Sequence, residues 1–78
     1  MSKLALVTGA AGRIGRHLVE ALAQDGFDIA LHYFASVARA EELARRIRDR
    51  GRIVHVIRSD LRSKAGVYAL AEEIRGIS

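Results

Sequence analysis

The sequence predicts an α/β domain in which three strands and three helices alternate, βαβαβα, around a parallel sheet in the order 3-2-1. Two observations carry this. Short apolar runs alternate along the chain with segments of helical periodicity. The first apolar run, Leu4 to Val7, ends in a glycine-rich turn, Thr8-Gly-Ala-Ala-Gly-Arg-Ile-Gly15, that opens at once into a helical pattern.

Residues 3–7 read as a buried strand. Residues 12–24 read as a helix, with Ile14, Leu18 and Leu22 four apart and Ala21 beside them as its apolar stripe. Asp25-Gly26 stops it. Residues 28–33 form the second strand. Ser36 caps a second helix that runs to about Arg50, with Ala40, Leu43, Ala44 and Ile47 on its apolar side, and Gly51 ends it. Glu41 and Arg45, and Glu42 and Arg46, stand four apart on that helix in the favourable orientation for ion pairs. Residues 52–57, rich in β-branched side chains, form the third strand. Ser63 caps a third helix to about Arg75, where Val67, Leu70, Ala71 and Ile74 fall at helical spacing and Gly66 weakens the first turn. Helices between consecutive strands favour right-handed crossovers and parallel pairing. The whole is one half of a Rossmann-type doubly wound sheet.

A chain of 78 residues is expected to be a single domain, residues 1–78, with a marginal core. It has no cysteine, which excludes disulfides and thiolate metal sites. The apolar run after Lys3 is too short, and broken too soon by Thr8-Gly9, to be a secretory signal, and no stretch is long enough to span a bilayer. The expected setting is the cytoplasm, with no membrane partner. The net charge is +4, and Arg45, Arg46, Arg48, Arg50, Arg52, Arg58, Arg62 and Lys64 crowd one region. The interleaved Glu41 and Glu42 favour a solvated helix face over a nucleic-acid interface. His17, His32 and His55 sit on different elements and no acidic pair accompanies them, so no metal site is expected.

The glycine-rich turn carries the chemistry. A strand that ends in glycines and passes into a helix brings backbone N–H groups to a phosphate at the helix N-terminus. Gly9 makes the tight turn and lets a pyrophosphate approach the backbone. Arg13 and Ile14 lie at the helix N-terminus on the ligand side. Gly15, inside the helix, allows close packing of helix on strand or room for the ligand. An NAD site places an acid about 20 residues on, at the end of the second strand, to hold the ribose 2′-OH. Here that end reads His32-Tyr33-Phe34-Ala35-Ser36, and Asp28 lies at the opposite end of the strand. A 2′-phosphate is repelled by an acid and welcomed by Arg13 and by the hydroxyl and amide of Ser36. NADP is therefore favoured over NAD.

The turn from Thr8 to Gly15 resembles the cofactor loop of the short-chain dehydrogenase/reductase family. Arg13 within it, Leu31-His-Tyr33 followed by Ser36, and Ser59-Asp-Leu61 resemble the pteridine reductases of that family. The resemblance covers essentially the whole chain but only the front part of such an enzyme. It implies NADPH-dependent hydride transfer to a carbonyl or a pterin C=N bond. It implies that Arg13, His32 and Ser36 surround the 2′-phosphate, with Tyr33 in the same segment, and that Asp60 and Leu61 border the adenine. One position departs: the pteridine reductase pattern has a basic residue directly before the serine, and here it is Ala35. The family's catalytic Tyr-x-x-x-Lys pair is also missing. Tyr33 is followed at that spacing by Val37, and Tyr68 by Glu72. No catalytic residue is assigned, and this chain alone is expected to bind without turning over.

The first strand is central in the parent fold, and no fourth strand follows here to cover its free side. Lys3-Leu-Ala-Leu-Val7 is then an exposed edge without proline, which invites pairing with a second copy. Self-association is expected. A self-assembling nucleotide-binding or structural module is the alternative to a truncated reductase.

Overall fold

The computed structural model describes residues 3–77. The elements follow in the expected order: β1 (Lys3–Val7), α1 (Arg13–Gln24), β2 (Phe27–Tyr33), α2 (Val37–Asp49), β3 (Val54–Arg58) and α3 (Lys64–Ile77). The strands form one parallel sheet with β2 in the middle. Lys3 is opposite Phe27 and Val7 opposite Leu31; Ile29 is opposite Val54 and Tyr33 opposite Arg58.

Helices cover both faces. On one face α1 and α2 enclose the main core, built from Val7, Val19, Ile29, Leu31, Leu43, Ile47 and Val54 with smaller residues between them. On the other face α3 lays Leu70 over Ala30 and Ile57, with Leu4, Leu61, Ile74 and Ile77 at the margin. Asp28, the second residue of β2, is almost fully buried. Its carboxylate accepts a hydrogen bond from the Ile53 amide at 3.0 Å, which stitches the start of β2 to the approach to β3.

Four expectations change. The stripe of α1 that faces inward is Val19 and Ala23 with half-buried Leu22, whereas Ile14 is 81% exposed, Leu18 is 50% exposed and Ala21 is exposed too. The helix is turned because Gly15 lies against the glycine turn, so the inward face continues at four-residue steps through Val19 and Ala23. Ser36 stands at the N-cap position of α2 but makes no side-chain capping bond. Among the described residues neither Glu41–Arg45 nor Glu42–Arg46 forms an ion pair. Arg46 instead reaches Glu20 on α1 at 2.5 Å, because the packed α1–α2 interface offers a closer carboxylate. β3 begins at Val54 rather than residue 52, since Arg52 turns back to donate to the Gly26 carbonyl.

Ser63 caps α3 as expected: its hydroxyl accepts from the Gly66 amide at 3.0 Å. Gly66 is more than a weak spot in the first turn. A Cβ there would lie 2.6 Å from the Asp60 carbonyl carbon and closer still to its oxygen, so only glycine lets α3 close on the end of β3. Gly66→Ala is expected to lower unfolding free energy by about 1–3 kcal/mol. Gly76→Ala, on the same helix in open space, is expected to be neutral or to stabilise by up to about 1 kcal/mol. Urea denaturation followed by circular dichroism measures both.

Candidate dinucleotide site

In a parallel sheet of this kind ligands gather at the carboxyl ends of the strands. There the chain leaves β1 through Thr8 and turns at Gly9, whose φ of +62° is one that an L side chain resists. Nothing lies within 4 Å of where a Gly9 Cβ would point, so the space above the turn is open. The Gly12 amide donates to the Gly9 carbonyl at 3.1 Å and closes the turn. At Gly15 a Cβ would sit 2.9 Å from the Ala10 Cα and closer to the Gly9 oxygen. The close packing expected of Gly15 is therefore against the turn itself. The first turn of α1 and the glycine loop form one compact backbone unit.

Gly12 caps α1 without a side-chain bond, and the first turn holds no acid. Among the described residues the amides of Arg13, Ile14 and Gly15 have no backbone acceptor. Unsatisfied N–H groups and the positive end of the helix dipole together favour an anion at this point. Ile14 is exposed beside them.

His32 departs from its expected place beside a phosphate. The residue is 4% exposed and both ring nitrogens are engaged within the protein. Nδ1 accepts from the Gly9 amide at 3.1 Å, and Nε2 donates to the Ser59 carbonyl at 2.9 Å. That pattern requires the neutral ring protonated at Nε2. Its backbone carbonyl also accepts from the Ala10 amide at 2.9 Å. One residue of β2 thus fastens the turn after β1 to the end of β3. Tyr33 likewise turns its ring into the core under α2, since side chains alternate along a strand. Only its backbone reaches the edge, where its carbonyl accepts from the Ser59 amide.

Ser36 is half-buried and its hydroxyl has no bonding partner among the described residues, so it is available to a ligand. Asp60 holds Arg62 through both carboxylate oxygens, at 3.0 and 3.1 Å, and these bonds with the Arg62 amide keep its pKa below the ordinary value. Arg62 and Arg58 lie over the Phe34 ring, 5.3 and 5.1 Å from its centre. Leu61 packs at the margin of the core under α3.

Between α1 and α2 lies a cleft of about 430 Å³ lined by Ala11, Arg13, Arg16, Arg39, Glu42, Leu43 and Arg46. Arg13 belongs to the glycine-rich turn motif. Arg16 and Arg39 carried no motif. The signal available for Arg39 was its place three residues after Ser36, where helical side chains lean back toward the N-terminus.

Residues 3–77 match the short chain dehydrogenase family. The chain belongs to that family. Among the family's curated proteins, the short-chain dehydrogenase/reductase eriH of Hericium erinaceus is 45% identical over 73 residues, 90% of this chain and 29% of that protein. Among solved structures, FolM alternative dihydrofolate reductase 1 from Brucella canis, complexed with NADP, is 42% identical with a TM-score of 0.75. The match covers 80% of this chain and 25% of that one. A blue fluorescent protein from a metagenomic library, in complex with NADPH, is 36% identical with a TM-score of 0.86, over 91% and 30% of the two chains. The chain therefore spans roughly a quarter to a third of the length of these relatives.

The placement of His32 makes a specific demand on the chain. His32→Phe is expected to lower unfolding free energy by about 1–3 kcal/mol, because it strips partners from Gly9 and Ser59 together. His32→Asn, whose amide oxygen falls near the place of Nδ1, is expected to lose less. Equal losses in urea denaturation would contradict the Gly9 bond.

Proposed function

We propose that this chain binds NADP(H) at the carboxyl edge of its sheet, as the cofactor-binding part of an NADPH-dependent short-chain reductase of the pteridine reductase type. On this reading the three strands are one half of a doubly wound sheet. The observation that carries it is the pre-shaped glycine turn. Gly9 leaves open space above it, and the free amides of Arg13, Ile14 and Gly15 face that same edge. NADP and NADPH in the two solved relatives support it.

The amides at the start of α1 would hold the pyrophosphate. Arg13 and Ser36 would meet the 2′-phosphate, with no acid at the end of β2 to repel it. Asp60 and Leu61 would border the adenine, where the Arg62 bonds hold Asp60 ionised. His32 positions Gly9 from below. Bound NADPH would supply the hydride for reduction of a carbonyl or a pterin C=N bond. Within this chain Tyr33 is buried in the core, and Tyr68 is exposed on α3 with Glu72 four residues on, so neither forms a Tyr-x-x-x-Lys proton donor. The chain's own part is to bind and orient.

Calorimetric titration is expected to give tighter binding of NADP than of NAD. Arg13→Ala is expected to cost about 1–3 kcal/mol for NADP and little for NAD. Equal or tighter binding of NAD would contradict the assignment. Steady NADPH oxidation by this chain with a dihydropterin or a ketone would contradict the binding-only role.

We further propose that copies of the chain associate beside β1. Among the described residues β1 pairs only with β2, and Leu6 is 45% exposed. Leu6 joins Val67, Leu70, Ala71 and Ile74 in an apolar groove between β1 and α3. An open strand edge next to an apolar groove favours pairing with another chain. Analytical ultracentrifugation at micromolar concentration is expected to give a dimer or larger species. A folded monomer with concentration-independent melting would exclude this.

A further inference from the structure

We propose that Arg39 is the second cation of the 2′-phosphate subsite and sets the preference of this chain for NADP over NAD. The inference rests on the dinucleotide reading above and adds a residue that no motif marks. A phosphomonoester carries close to two negative charges at neutral pH. Arg13 alone supplies one, and position 35, where the resembling pattern has a cation, is Ala35.

The structure supplies a replacement from another direction. Arg39 lines the same cleft as Arg13, so the two arginines border a common space from α2 and α1. Arg39 is the third residue of α2, and its side chain leans toward the N-terminus of that helix and hence toward Ser36. The Ser36 hydroxyl makes no capping bond and stays available to a phosphate oxygen.

The other arginines of the cleft are less suited. Arg46 is spent on Glu20 at 2.5 Å. Arg16 lies one turn further along α1, about 5 Å from the level of Arg13. Neither Arg13 nor Arg39 makes an ion pair among the described residues. The one acid in the lining, Glu42, lies a turn beyond Arg39 toward the far end of α2. It therefore repels an anion that sits deep in the cleft and leaves the end between Arg13 and Arg39, toward the N-terminus of α2 that Ser36 caps, as the favoured place. Arginine suits this task because its planar fork bonds two phosphate oxygens at once.

The test is calorimetric titration of the full chain, wild type and variants, with NADP, NAD and inorganic phosphate. Arg39→Gln is expected to weaken NADP by roughly tenfold to a hundredfold and to leave NAD unchanged. Arg39→Lys should recover part of the loss, and Arg16→Gln should have little effect. Because Arg39 is exposed, the fold should survive, which circular dichroism checks. The phosphorus NMR signal of the 2′-phosphate gives an independent reading. Its titration midpoint should be depressed in the wild-type complex and return toward the free value in Arg39→Gln. Three results would overturn the proposal alone while NADP still binds the wild type: equal weakening of NADP and NAD, no change in either, or a selective loss in Arg16→Gln instead. Binding of inorganic phosphate as tight as NADP, with the same Arg39 dependence, would make the cleft a free-anion site and also overturn it. A wild-type chain that binds neither dinucleotide would overturn the dinucleotide reading itself.

Discussion

The backbone of the glycine turn lies directly against the first turn of α1, with no room for a side chain between them, and this approach orders the rest of the structure. Gly15 permits it, and through the four-residue step of the helix it decides that Val19 and Ala23 face the core. It also places the free amides of α1 around the mouth of the turn. His32 then fixes the turn from below by accepting from Gly9 and donating to Ser59. The ends of β1, β2 and β3 become one rigid edge. The ordering entropy of that edge is lost when the chain folds, before any ligand arrives, which favours binding.

Electrostatics follow from the same arrangement. None of the three helices has an acid in its first turn. The positive ends of α1 and α2 therefore stand uncompensated beside Arg13, Arg16 and Arg39. The remaining basic residues are largely spent on the fold. Arg46 bonds Glu20, Arg48 bonds the Val54 carbonyl and Arg52 bonds the Gly26 carbonyl. Arg58 and Arg62 flank Phe34. Positive charge that looks like a continuous basic patch in the sequence resolves into structural ties on one side and an arginine-lined cleft between α1 and α2 on the other.

Element order, sheet order and the glycine turn were legible in the sequence because each is a local pattern. The stripe on α2 was legible too, since Ala40, Leu43, Ala44 and Ile47 all face the core. On α1 the stripe Ile14, Leu18, Leu22 and Ala21 is right only in part: Leu22 packs against the core and the other three are exposed, because the contact that sets the helix rotation is made by a glycine, which periodicity ignores. The two serine caps were indistinguishable by sequence, yet only Ser63 spends its hydroxyl on its helix. His32 reads as a polar residue at a strand end. Its burial and its two partners, 23 and 27 residues away in sequence, belong to the tertiary fold. Arg39 was hidden for the same reason, because it shares a cleft with Arg13 only across the α1–α2 interface.

The central claim is that the sheet edge is already shaped for a dinucleotide phosphate before the ligand binds. A crystal structure of the chain with NADP tests it most directly. The account predicts the pyrophosphate over the amides of residues 13–15 and the 2′-phosphate between Arg13 and Ser36. The Gly9–His32 hydrogen bond should stay near its present 3.1 Å. A dinucleotide bound elsewhere, or bound here only after that bond has broken and the turn has rearranged, would contradict it.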